Sequence, residues 1–352
     1  MTDAAVLIRP MRADDLAEAD RVYRLAFGTQ FGLPDPARFR GDSEVLRVRW
    51  TADPSPCFVA EAAGRIIGSI IGMAWGSVFV LGPLTVDPAH AGTGVGRLLM
   101  QAAMDFIAAR GFALAALFTF PHSPKHIHLY ESYGFVPQRL TPVLSKMVTA
   151  RPDAGDAGAT SAQPPHPSLS PQAGRGLLGV GEAAAEPYAK LGEGVSSFSN
   201  LAPAERTAVL AACRAVSDSV FPGLDLTCEI AAIAAQRVGE TVLLRADGAI
   251  AGFALCHIGA GSEAGSGTLF IKFACVRPGD ADGFARLVAA CEALAAARRI
   301  GRIVAGVNRG RDGAYRLMRE RGFRADLIGV AMHRPDGPGY NRPEIYAIDD
   351  WR

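Results

Sequence analysis

Apolar positions along the chain follow two periods. Val6 to Pro10, Cys57 to Glu61, Ile66 to Trp75, Val78 to Val86, Phe112 to Phe120 and Leu140 to Val148 are short β-rich runs. Leu16, Ala19, Val22, Tyr23 and Phe27, opened by Asp14 and Asp15, keep the spacing of one helical face. Ser43 to Trp50 reads as a second helix, Phe31 to Arg40 with its two prolines as a loop, and Pro124 to Tyr133 as a short helix stopped by Gly134-Phe135. Val95, Leu98, Leu99, Ala102, Ala103, Phe106 and Ile107 predict a further amphipathic helix that ends at Arg110-Gly111.

Between the strand ending at Val86 and that helix lies Asp87-Pro88-Ala89-His90-Ala91-Gly92-Thr93-Gly94-Val95-Gly96-Arg97. Three glycines at a strand-to-helix junction let the backbone turn tightly and bring its N–H groups close to a ligand. The helix start adds orphan donors and the positive end of the macrodipole, a pairing suited to phosphate. The segment therefore reads as a pyrophosphate cradle. It is not a P-loop, because no Gly-Lys-Ser/Thr follows. A dinucleotide fingerprint is also excluded, since the nearest acid, Asp105, falls far short of the required twenty-residue spacing.

The pattern then repeats. Thr241 to Arg245 and Ile250 to Ile258 around Asp247-Gly248 match the strands around Gly64; Leu269 to Val276 matches Val78 to Val86. Phe284, Leu287, Val288, Cys291 and Leu294 form the next helix and Ile303 to Val307 the next strand. Proline to Gly-Phe measures 46 residues in the first half (Pro88 to Gly134) and 44 in the second (Pro278 to Gly322). The chain is thus an internal duplication, expected as domains 1–149 and 198–352. The Pro-, Gly- and Ser-rich stretch 150–197 is expected as a disordered linker. Glu344 to Trp351 is expected to add a strand to one domain.

Composition narrows the function. The 352 residues carry 36 Lys and Arg against 35 Asp and Glu, a net charge of +1, so no field draws the chain to nucleic acid or anionic membrane. Ile66 to Val86 runs 21 residues without a charge, long enough for a bilayer, but Gly68, Gly72, Gly76, Gly82 and Pro83 punctuate it as a hairpin. The six cysteines are scattered without Cys-x-x-Cys, so neither a disulfide framework nor a metal is expected. No basic stretch followed by an apolar run opens the sequence, and a cytoplasmic protein is expected.

With these residues in view the chain resembles the GNAT superfamily of N-acyltransferases in tandem-domain form. The resemblance rests on Val86-Asp87-Pro88 through Gly96-Arg97, followed by Leu129-Tyr130-Glu131-Ser132-Tyr133-Gly134-Phe135. It implies an α/β (α+β) fold with two mixed, twisted sheets, and acetyl-CoA as co-substrate. The pantetheine arm would pair with Leu84, Thr85 and Val86; the pyrophosphate would lie on the amides of Gly92, Thr93, Gly94, Val95, Gly96 and Arg97. Ser123 would hydrogen-bond the cofactor where the family commonly has Asn. Ala91 stands where the family usually has Arg or Gln, so phosphate affinity rests on main-chain amides and Arg97. Independently of family, Pro83 cannot donate to a ladder and marks a break in its strand.

The implied reaction is attack of a primary amine, on a small molecule or a peptide, on the thioester carbonyl. A lysine-type amine is neutral only about once in 2,500 at pH 7, so its deprotonation needs assistance. Tyr130 takes the family's proton-donor position. The base candidates are Asp87, Glu61, His122 or a water chain, because Val78 to Val86 holds no carboxylate. In the second half Gly279-Asp280-Ala281-Asp282-Gly283 replaces the glycine loop and Met318 the tyrosine, so that half is expected neither to bind acetyl-CoA nor to catalyse. A reading from another class, a silent acyl-CoA-binding sensor, is separated from an enzyme by what Tyr130 does.

Overall fold

The computed structural model describes residues 5–148 and 191–352. In the first half, β1 (Leu7–Pro10) leads to α1 (Leu16–Gln30) and α2 (Val45–Ala52), then β2 (Phe58–Ala62), β3 (Arg65–Trp75) and β4 (Val78–Val86). After the glycine loop come α3 (Val95–Arg110), β5 (Leu114–Thr119), α4 (Pro124–Glu131) and β6 (Val136–Met147). The second half runs β7 (Val195–Ser197), α5 (Pro203–Val220), α6 (Thr227–Gln236), β8 (Gly239–Ala246), β9 (Ala249–Gly259) and β10 (Gly265–Val276). It ends with α7 (Ala281–Ala297), β11 (Arg302–Gly306), α8 (Asp312–Glu320), β12 (Arg324–Arg334) and β13 (Ala347–Ile348).

The strands form one mixed sheet in the order β1-β2-β3-β4-β5-β12-β6-β11-β10-β9-β8-β7, with β13 on β10. The halves therefore trade strands. β12, from the second half, pairs with β5 of the first, from Val330 opposite Thr119 to Arg334 opposite Ala115. In return β6 pairs with β11, from Val143 opposite Gly306 to Met147 opposite Arg302. The expected closing strand Leu140 to Val148 is thus real but closes the other half's sheet. Local alternation specifies that a strand exists and which face it buries; it carries no information about which edge receives it. The boundary placed at 197 also moves: residues 150–190 of that stretch lie outside the described ones, but Leu191 is buried and β7 pairs with β8.

The charge-free run Ile66 to Val86 is the β3–β4 hairpin, turning at Gly76, and among the described residues no helix is long and apolar enough to cross a membrane. α3 packs on β2, β3 and β4 through Val95, Leu99, Met100, Ala103, Met104 and Ile107. Its stripe is rotated from the expected one: Met100 and Met104 are inside while Leu98 stays 45% exposed. Close approach of α3 is possible because β3 carries Gly68 there; a Cβ on it would meet Thr85 O at 2.9 Å and Leu99 Cδ1 at 3.0 Å. The core beneath α3 includes Leu81, Leu117, Tyr130 and Phe135, and also Met332 of the exchanged β12.

Candidate active site

β4 and β5 run parallel from Val78 opposite Leu114 to Leu81 opposite Leu117, and then separate. At the point of divergence β4 slips in register against β3: Leu81 faces Gly72 but Leu84 faces Ile70, so Gly82 and Pro83 bulge out. The break expected at Pro83 is there. Beyond it, Asp87 N–H donates to Ile67 O at 2.8 Å, which makes Asp87–Ile67 a hydrogen-bonded pair. Two residues back, Thr85–Ser69 has the same phase, and the intervening Leu84 and Val86 direct N–H and C=O away from β3 into the gap left by β5. One expectation is corrected here. Thr85 is spent on the ladder and, through its hydroxyl, on Ser69 Oγ at 2.9 Å, so only Leu84 and Val86 face the gap.

The gap leads to the glycine loop. Asp87 opens it by accepting Ala89 N–H at 3.0 Å, and Thr93 Oγ1 donates to His90 O at 2.7 Å. Gly92 and Gly94 adopt φ of +82° and +90°, and a Cβ on either would meet open space. Gly94 is the residue before α3, its carbonyl taken by the amides of Arg97 and Leu98. Within the described residues no backbone carbonyl takes the amides of Gly92, Gly94, Val95 or Gly96. Gly92, Thr93 and Gly94 are exposed and Val95 is buried as the first core anchor of the helix. Arg97 is exposed, and its carbonyl accepts the Tyr133 hydroxyl at 2.8 Å. Tyr133, partly buried against the core beneath α3, also ties the end of α4 to the first turn of α3.

Tyr130 lies 8% exposed on α4, its ring 6.4 Å from Phe135. Burial pushes its hydroxyl up to about 12, so it keeps its proton near neutrality. Ser123 precedes α4, and its Oγ lies 2.9 Å from His126 Nδ1; a cofactor would have to share that hydroxyl. Burial, with the Lys125 charge second, lowers the His126 pKa. Two base candidates are already engaged: Asp87 with Arg21 at 3.4 Å, and Glu61 with Arg9 at 2.7 Å. His122 stays exposed, 5.6 Å ring to ring from Phe120. Among the described residues no group of three His, Cys, Asp or Glu could hold a metal ion.

The segment after α1 reaches the end of β5. Phe39 stacks on Phe27 and Phe31 at 5.5 and 5.6 Å, and Phe31 meets Phe120, just past β5, edge-on at 5.4 Å. A cavity of about 360 Å³ elsewhere, bordered by Gln138, Arg139, Asp336 and Asn341, includes none of these residues.

The second half has the same divergence, with a different outcome. β10 and β11 pair as far as Ile271 opposite Ala305. Beyond that point β13 lies against β10, with Ile348 opposite Ala274 and Ala347 opposite Cys275. Val276 N–H donates to Tyr346 O at 3.3 Å and Gly279 N–H to Glu344 O at 2.8 Å. At the start of α7 the Asp280 carboxylate accepts Gly283 N–H at 2.8 Å. The expected tail strand therefore fills the place that stays open beside β4.

Sequence reasoning missed several residues. Arg49 is 5% exposed on α2, and its Nη1 donates to Gly82 O at 2.8 Å. Arg334 of β12 donates to Tyr133 O at 2.7 Å. The available signal for Arg49 was its place among Val45, Leu46 and Val48, which made it a charge on a buried helical face.

Residues 19–135 match the family model of the acetyltransferase (GNAT) family, and the chain carries a GNAT acetyltransferase domain there. The chain is 34% identical over 93 residues to the mycothiol acetyltransferase of Thermobispora bispora, and 29% over 153 residues to that of Beutenbergia cavernae. Those stretches cover 24% and 38% of this chain, and 30% and 50% of the relatives' own length. Among solved structures, a Pyrococcus horikoshii protein proposed to be an acetyltransferase aligns over 98% of this chain and 95% of its own, with TM-score 0.62 at 14% identity. A GCN5-related N-acetyltransferase from Sphaerobacter thermophilus aligns over 94% and 95%, with TM-score 0.55 at 16% identity. These likenesses extend the shared fold to both halves.

Proposed function

We propose that the first half is an acetyl-CoA-dependent N-acetyltransferase acting on a primary amine of a small molecule or peptide. The observation that carries this reading is the gap beside β4. Leu84 and Val86 turn main-chain donors and acceptors toward it, and the amides of Gly92, Gly94, Val95 and Gly96, which no backbone carbonyl among the described residues takes, follow in the loop beyond. An extended chain of amides ending in a pyrophosphate fits that sequence of groups: strand-like pairing first, then anion binding at a helix start. The relatives' name, mycothiol acetyltransferase, favours a small-molecule acceptor over a peptide.

In the proposed step the amine nitrogen bonds to the thioester carbonyl carbon and the C–S bond breaks. Tyr130, kept protonated by burial, donates a hydrogen bond to the sulfur as it gains charge and keeps its proton, and the coenzyme A thiolate leaves to take a proton from solvent. The amine proton leaves through water, since Asp87 and Glu61 are held by arginines. The acceptor approaches along the wall of Phe31, Phe39 and Phe120. The second half carries no acyl-CoA, because its tail takes the main-chain groups a pantetheine would need and Asp280 caps the helix that would face phosphate.

Calorimetry tests the assignment. Wild type should bind one coenzyme A per chain, and Gly94→Glu should weaken binding at least a hundredfold. The substitution places a carboxylate at the cradle and a side chain at φ +90°, in open space. Retained affinity in the variant, or two sites per wild-type chain, would refute the assignment.

A further inference from the structure

The two halves also meet in a buried chain of charges that begins at the β4 bulge. Arg49 donates from Nη1 to Gly82 O at 2.8 Å, and from Nη2 and Nε to Glu263 Oε2 at 2.6 and 3.1 Å. Glu263 belongs to the β9–β10 connection of the second half and is 1% exposed. Its other oxygen accepts Lys272 Nζ at 2.8 Å. Lys272 also reaches both oxygens of Glu229, at 3.1 and 3.0 Å, and Glu229 Oε1 accepts Trp75 Nε1 at 3.0 Å. Two cations and two carboxylates thus balance, with every charged group hydrogen-bonded, the condition under which such burial is tolerated.

One contact in this chain does more than balance charge. Gly82 is the residue at which β4 leaves both its neighbours, so no strand fixes its carbonyl. A guanidinium holds its donors in a rigid plane, so the grip of Glu263 on one edge sets the direction in which Arg49 presents the other. Two residues on, Leu84 N–H is the first main-chain donor facing the gap. We propose that Glu263 and Arg49 form a positioning clamp, through which the second half sets the β4 bulge and so aims the Leu84 amide into the acyl site of the first half. This inference rests on reading the gap as the thioester site. It gives the second half a part in the reaction without a cofactor of its own.

Arg49→Lys is the discriminating variant. Lysine keeps the charge balance with Glu263 but lacks the planar fork, so a merely electrostatic or structural Arg49 would be rescued by it. Expected are a folded variant with kcat lowered at least tenfold, and any loss of coenzyme A affinity or rise in KM for acetyl-CoA smaller than that loss in kcat. A folded variant with kcat within twofold of wild type overturns the clamp. Where the variant does not fold, or the wild type shows no turnover, wild-type protein labelled with ¹⁵N-arginine decides. The slowly exchanging Arg49 Nη–H signals should shift on saturation with acetyl-CoA, and unmoved signals would overturn the proposal. Wild type that binds no coenzyme A at all refutes the site reading itself; wild type that binds and transfers while Arg49→Lys matches it refutes only the clamp.

Discussion

Tyr130 is the buried side chain on which the enzyme and sensor readings make different predictions. With its hydroxyl pushed up to about 12 by burial, it cannot serve as a base near neutrality, yet it is a hydrogen-bond donor throughout the range in which proteins are usually assayed. Tyr130→Phe removes only that donor, so steady-state kinetics should show kcat down tenfold or more, while calorimetric affinity for coenzyme A stays within twofold. Unchanged kcat would remove Tyr130 from the mechanism, and a wild type that binds coenzyme A without turnover would favour the silent binding module. This residue was legible in the sequence because it stands at a fixed place in Leu129-Tyr130-Glu131-Ser132-Tyr133-Gly134-Phe135. Thr85 was not read correctly, since strand membership alone leaves open which alternate residues face the ladder; that phase becomes visible only with the Asp87–Ile67 bond. Arg49 and Glu263 escaped for another reason: 214 residues separate the partners, and no local pattern pairs them.

At the scale of elements, α3 and α4 form one device. The Tyr133 hydroxyl spans from the end of α4 to the Arg97 carbonyl in the first turn of α3, the turn whose amides face the proposed phosphate. Tyr133→Phe deletes that bond, worth about 1 kcal/mol where it is partly exposed. Coenzyme A affinity measured by titration should fall roughly fivefold, with kcat little changed; unaltered affinity would show that the turn needs no such support. Element positions were largely readable, and β4 begins and ends at the expected Val78 and Val86. Helix faces were less so. α3 buries Met100 and Met104 rather than Leu98 because the sheet approaches from a side that periodicity does not specify. The tail strand was foreseen, but not that it would seal the gap beside β10.

At the scale of the molecule, the same buried charges link function to stability. His257, fully buried on β9 with Glu263 4.0 Å away, has its pKa lowered from 6.5 to about 4. Burial is the main cause; Glu263 and Glu229 oppose it, while Lys272 and Arg49 reinforce it. The folded state thus binds the proton more weakly than the unfolded chain, so stability is full above pH 6.5 and is lost as pH falls toward 4. Unfolding free energy should drop by about 2 kcal/mol between pH 7.5 and 5 on this account alone. His126 and His333, also lowered, act in the same direction. Denaturant titrations of His257→Gln at both pH values should show a loss smaller by that amount; an unchanged loss would clear His257.

The traded strands have a consequence in time as well as in space. A ribosome adding roughly 5–20 residues per second takes roughly ten to forty seconds to go from the end of β5 at Thr119 to the end of β12 at Arg334. For all of that interval the nascent front half offers a bare strand edge to whatever else is being made nearby. The sheet of the first half therefore waits on a strand made long after its own before it can close.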